Sequence, residues 1–314
     1  MQKRSVVAKL AVIIVVALSL TSCEYYGVLQ ARKVWKDANA MYQRSDFEGA
    51  AEAYEEVVAN DPSFTYALFY LANSYDNLYK PGRRGEADND AYLERAIKYY
   101  RLSVEREQDP AIKNLAMQFL VAAYGPDKMN DPNQSEPILL QMIELDPQNP
   151  DNYFKLAQLY EEAGQYELSE QTLLKAREIR PDDTVVYLQL AAFYNRNDEF
   201  EKTIEALQER AAREPTNPEA FYSIGTYYWE KAFRDFRLTE NDKRQYVMAG
   251  LEAVDKAIAL KADYAEALTY KNILLRMQAN MEKDLDKQRA LIAQADELRS
   301  RAEQLMKQKT AGVS

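Results

Sequence analysis

A set of marks in this chain returns every 34 residues. Tyr153, Leu156-Ala157, Tyr160, Leu173 and Pro181 come back as Tyr187, Leu190-Ala191, Tyr194, Leu207 and Pro215, and the opening marks return once more as Phe221, Ile224-Gly225 and Tyr228. A fixed period of about 34 residues is the signature of stacked helix-turn-helix units. No single unit of that size can bury its apolar stripe, so each must bury it against its neighbours. The chain has the means: 47% of its 314 residues are hydrophobic, and 9 Gly with 11 Pro leave little punctuation beyond short turns.

The marks have a physical logic. Small residues such as Ala157 and Ala191 let paired helices approach, and Tyr153 or Leu173 fill the hollows between units. A proline near the end of each unit (Pro62, Pro181, Pro215) cannot continue a helix and pre-sets the next turn. This spacing resembles the tetratricopeptide repeat (TPR), which implies an all-α, right-handed α-α superhelix. On that alignment a first unit runs from Ala31 to Phe64 and a second starts at Thr65, interrupted by an insertion near 80–92. A degenerate third unit carries Leu115-Ala116 and Phe119. Units four and five cover Pro150 to Asp183 and Thr184 to Asn217. A sixth from Pro218 holds a second insertion near 233–244, and a seventh first helix spans Ala265 to Ala279. The array of about six to seven units thus occupies 31–279. Ser169, Thr203 and Arg210 stand where the family prefers alanine, and Lys271-Asn272 interrupts the apolar marks of the seventh unit. Leu291, Ala295, Leu298, Ala302 and Leu305 mark a long final helix over 283–308, read as a cap on the last exposed repeat.

The first residues read as an address. Lys3 and Arg4 precede an apolar stretch from Val6 to Leu20, whose core is short for a membrane-spanning helix. The stretch ends Leu20-Thr21-Ser22-Cys23, which resembles the lipobox of bacterial lipoproteins. That resemblance implies a signal peptide over 1–22, lipidation at Cys23, and a lipid-anchored linker over 23–30. Glu24 follows where aspartate would retain a lipoprotein in the inner membrane, so the expected location is the periplasmic face of the outer membrane.

In the family, the first helix of each unit lines a concave wall. Its groove positions here are Arg32, Trp35, Asn39 and Tyr42 in the first unit, and Tyr66, Phe69, Asn73 and Asp76 in the second. Amides at Asn39 and Asn73 both donate and accept, as the backbone of an extended peptide requires. The aromatic rings supply contact area with little side-chain entropy to lose. Later units offer Phe154, Gln158 and Glu161, then Leu188, Ala192 and Asn195, then Tyr222, Thr226 and Trp229. Arg32, Lys36, Asn39 and Asn73 only partly match the carboxylate clamp of chaperone cofactors, because aromatic residues occupy positions where it needs lysine.

Composition narrows the chemistry further. With no histidine and one cysteine, the chain lacks the commonest general base, every His-dependent triad, internal disulfides and cysteine zinc sites. A net charge of −10 disfavours nucleic acid. Glu55-Glu56 and Glu161-Glu162 are adjacent pairs that do not face each other on a helix. Asp88-Asn89-Asp90 lacks the glycine and distal glutamate of a calcium loop, and Gly82-Arg83-Arg84-Gly85 lacks the lysine of a phosphate loop. The expectation is a non-enzymatic envelope scaffold, with no cofactor or metal, that holds extended segments of other proteins. The alternative is a structural module that self-associates through its last helix.

Overall fold

The computed structural model describes residues 26–311, and the expected signal segment with Cys23 lies outside them. The described residues form fourteen α-helices and no strand. They fall into two compact units that divide after Gly164.

The first unit holds α1 (26–43), α2 (Phe47–Asn60), α3 (Tyr66–Leu78), α4 (Ala87–Arg106), α5 (Pro110–Ala123), α6 (Pro132–Leu145) and α7 (Pro150–Glu162). From α2 onward, consecutive helices pack on one another, and α3 also reaches α5. One core joins Ala38, Ala50, Tyr54, Leu71, Ala72, Ala96 and Tyr100 across α1 to α4, and continues to Ala116 and Leu120 in α5. A second core gathers Met117, Leu139, Met142 and Leu156.

The second unit holds α8 (Tyr166–Ile179), α9 (Thr184–Arg196), α10 (Phe200–Arg213), α11 (Pro218–Arg234), α12 (Glu240–Leu260), α13 (Ala265–Asn280) and α14 (Leu285–Ala311). The same sequential packing holds, with α11 also touching α13. The approach of α11 to α12 is close enough to require glycine: a Cβ on Gly225 would stand 2.5 Å from Val254 Cγ1.

Repeat chemistry recurs in the turns. Asn149, Asp183 and Asn217 each cap a first helix, their side chains accepting the N–H of Asp151, Val185 and Glu219 at 3.1, 3.0 and 3.0 Å. Pro150 and Pro218 then occupy first-turn positions whose N–H would be orphaned anyway. The Tyr153 and Tyr187 hydroxyls donate to the carbonyls of Pro147 and Pro181 at 3.1 and 2.7 Å, tying each helix to the turn before it. Tyr160 and Tyr194 donate to Glu136 and Glu170 of the preceding helix at 2.8 and 2.9 Å. Where the family prefers alanine, Ser169 and Thr203 are fully buried, and the Thr203 hydroxyl bonds back to the Glu199 carbonyl at 3.0 Å.

Both insertions are built. In the first, a 3-10 turn (Pro81–Arg83) leads into α4, and buried Asn89 accepts the Lys80 N–H at 2.8 Å while donating to the Lys80 and Arg83 carbonyls. The second is largely absorbed by longer α11 and α12, leaving only 235–239 between them. Thr239 closes that gap with a reciprocal cap to Asp242. The seam of α14 faces α13: Ala295 and Ala302 are buried, Arg276 pairs with Asp296 at 2.5 Å, and Arg301 reaches the Ala262 carbonyl at 2.8 Å. The last helix therefore covers α13. No described helix is long and apolar enough to cross a membrane.

Candidate protein-binding surfaces

Trp35, Asn39 and Tyr42 share one face of α1, at helical spacing, and that face meets α3. The Trp35 ring lies 4.8 Å from Phe64, 5.3 Å from Tyr54 and 5.5 Å from Tyr70. Tyr42 meets Tyr70 edge-on at 5.6 Å. Behind the rings runs a polar chain. Tyr54 donates to Asn39 Oδ1 at 2.8 Å, Tyr42 donates to Asn73 Oδ1 at 2.5 Å, and Asn73 Nδ2 donates to the Tyr100 hydroxyl at 3.1 Å. Asn77 adds a second donor to Asn73 Oδ1 at 2.9 Å. Asp76 receives Lys128 from the α5–α6 turn.

The wall therefore sorts the groove residues expected from sequence. Arg32 is exposed, Trp35, Asn39 and Tyr42 are half-buried, and Tyr66 is 37% exposed, with its hydroxyl 2.5 Å from Asp109. Phe69 and Asn73 point inward, at 4% and 5% exposure. Phe69 packs on Tyr100 and Phe119, and both ends of the Asn73 amide are engaged inside the unit. Tyr70, which the alignment passes over, is the α3 ring that stands with Trp35 and Tyr42. One residue is about 100° of helix rotation, so a family numbering applied to α3 selects a neighbouring face. The lone signal for Tyr70 in the sequence is that it is a second aromatic residue directly beside Phe69.

Burial raises the Tyr42 and Tyr54 phenols above their usual range, with Tyr70 close to both, and burial raises Tyr100 further still. These hydroxyls stay neutral donors. The wall offers rings, one exposed guanidinium and fixed polar atoms, which suits binding. Among the described residues no group of three or more metal-ligating side chains gathers.

The second unit carries its own aromatic surface. Tyr264, Tyr222, Tyr270, Trp229 and Phe233 form a run of ring contacts at 5.2 to 5.5 Å. It leads to the second insertion, where Phe233 and Phe236 are 63% and 94% exposed. Asp235 fixes that loop by accepting from Arg237 at 2.9 Å and Lys231 at 3.0 Å; these bonds hold its carboxyl well below the usual range. Beside it opens a cleft of about 460 Å³ lined by Asn195, Phe200, Tyr227, Lys231, Arg234 and Phe236.

Two family profiles, both described as tetratricopeptide repeat, match residues 36–110 and 128–192. The chain carries tetratricopeptide repeats. Among solved structures, it resembles the C-terminal part of a TPR repeat-containing protein from Cytophaga hutchinsonii: 15% identity over 87% of this chain and 98% of that one, with a TM-score of 0.53. That likeness shows the fold. A tetratricopeptide repeat protein from Parabacteroides merdae matches at 9% identity over 85% and 99% of the two chains, with a TM-score of 0.46. YrrB, described as a TPR protein with an unusual peptide-binding site, matches at 19% over 71% and 99%, with a TM-score of 0.39. A search of curated proteins finds none that matches the chain.

Proposed function

We propose that this chain is a cell-envelope lipoprotein that serves as a scaffold, binding extended segments of other proteins along the wall formed by α1 and α3. The observation that carries the reading is the half-open ring cluster of Trp35, Tyr42 and Tyr70, held from behind by the Tyr42–Asn73 bond. Repeat folds support partner binding in general, and rigid aromatic side chains at a surface are the usual anchors of such contacts. Trp35, Tyr42, Tyr66 and Arg32 would touch the segment, Asn39 would present its amide edge, and Phe69 and Asn73 would set the shape behind them. The envelope location rests on the lipobox at Cys23, with Glu24 after it favouring the outer membrane's periplasmic face.

The test is crosslinking in intact cells followed by mass spectrometry of captured proteins, with Trp35→Ala and Tyr66→Ala run alongside the natural chain. The expected result is one or a few partners, lost by about ten-fold or more on Trp35→Ala, as for an interface anchor. Unchanged capture with Trp35→Ala in a folded protein would remove this wall from the reading. The exposed loop at Phe236 would then be the next surface to change.

A further inference from the structure

We propose that the first two turns of α1 rest directly on the lipid surface, so that the array sits against the membrane without a free tether. The inference builds on the lipidation reading above. Sequence alone placed a linker over 23–30, but helix already covers 26–30. Only Glu24 and Tyr25 separate Cys23 from it, so the acylated residue lies at most about 11 Å from Tyr26 even with the chain fully extended.

The first turn is also pinned. A Cβ on Gly27 would stand 2.6 Å from the Asn60 carbonyl oxygen, so this side of α1 is pressed on the end of α2. Ala31 is fully buried against Val57 and Ala67 on the same side. The opposite side shows Tyr26 at 70% exposure and Leu29 at 48%, followed by exposed Lys33 and Lys36. Steps of three, four and three residues put these four side chains on one stripe. An amphipathic tyrosine and a leucine nearest the anchor, with lysines about 10 and 15 Å farther along the axis, match the layering of a bilayer interface. Aromatic and apolar groups sit at the acyl boundary, and cations reach headgroup phosphates. In a chain of net charge −10, exposed Arg32, Lys33 and Lys36 outnumber exposed Asp37 here, and this locally cationic end complements an anionic lipid surface.

The test uses the full chain, expressed in a bacterial host and kept in its membranes, with a photoreactive benzophenone amino acid at position 26, 29 or 43. Gln43 is exposed at the far end of α1, about 25 Å from Tyr26. Intact mass first establishes whether Cys23 is acylated. On acylated protein, positions 26 and 29 are expected to capture phospholipid at least about five-fold more than position 43, and a flexible Gly/Ser insert after Glu24 should abolish the difference. Acylated protein that captures no lipid at 26 or 29, captures equally at 43, or captures a protein there instead overturns this inference alone. A Cys23 without acyl chains overturns the lipoprotein reading and this inference with it.

Discussion

At the scale of single residues, Asn73 is the position on which the first unit's wall depends most. Its side chain is 5% exposed and links Tyr42, Asn77 and Tyr100. Truncating it strands the Tyr42 hydroxyl, leaves Tyr100 with only its 3.5 Å bond to Asp76, and opens a small void, which should cost about 2–3 kcal/mol. Asn73→Ala is therefore expected to lower the denaturant midpoint of the first unit, while Tyr42→Phe, which removes only one donor, should cost about 1 kcal/mol. A midpoint unmoved by Asn73→Ala would contradict the packing role. Gly225 makes the matching case in the second unit. A Cβ there already meets Val254, so Gly225→Val should destabilise by about 1–3 kcal/mol through overpacking. Thermal melts of the two variants should both shift downward.

At the scale of elements, spacing alone predicted much of what the structure contains. The helices of units four to six follow from Tyr153, Tyr187 and Phe221, because a 34-residue interval leaves little freedom in where a turn can fall. The insertions were less legible. Asp88-Asn89-Asp90 reads as a polar loop, yet Asn89 is buried and holds the Lys80 and Arg83 backbone, a contact that composition does not reveal. On α3, Phe69 and Tyr70 are both aromatic, and only packing on Tyr100 and Phe119 decides that Phe69 turns inward. For α14, a seam of about two heptads fits either a cap or a coiled coil; within the chain, the bonds of Arg276 and Arg301 hold α14 against α13 and the turn before it. Removing the chain after Met281 should consequently expose the apolar face of α13 and lower the stability of the second unit, since a terminal repeat loses its neighbour. Sedimentation of that truncated protein is expected to show association. If it stays as monodisperse and as stable as the full chain, α14 does not act as a cap.

For the whole molecule, the absence of histidine predicts how stability follows pH. Groups that titrate lie at the two ends of the scale. Glu170 is held below the usual carboxylate range, chiefly by the Lys202 hydrogen bond and secondarily by Tyr194. A depressed carboxyl contributes stability above its unfolded value of about 4.3 and loses it as pH falls through the folded value. Part of the Glu170 side chain meets solvent, so its share is under about 1 kcal/mol. The tyrosines act with the opposite sign. Burial is the first cause that pushes Tyr75, Tyr160, Tyr194 and Tyr222 up to about 12; bonds to Glu55, Glu136 and Glu170 assist the first three, and neighbouring Tyr270 assists Tyr222. A raised phenol contributes stability below its unfolded value of about 10 and loses it as pH climbs toward the folded one. Melting temperature should therefore be flat from about pH 5.5 to 9 and fall on both sides. On the alkaline side, absorbance near 295 nm should show that these raised phenols ionise only together with unfolding, between about pH 10 and 12. Tyr194→Phe then separates the causes, because it removes one phenol and the hydrogen bond it donates to Glu170 while keeping the ring. It should cost about 1 kcal/mol at neutral pH and shrink the alkaline loss, whereas a midpoint that drifts steadily between pH 6 and 8 would mean that stability rests on some titrating group other than these phenols and carboxylates.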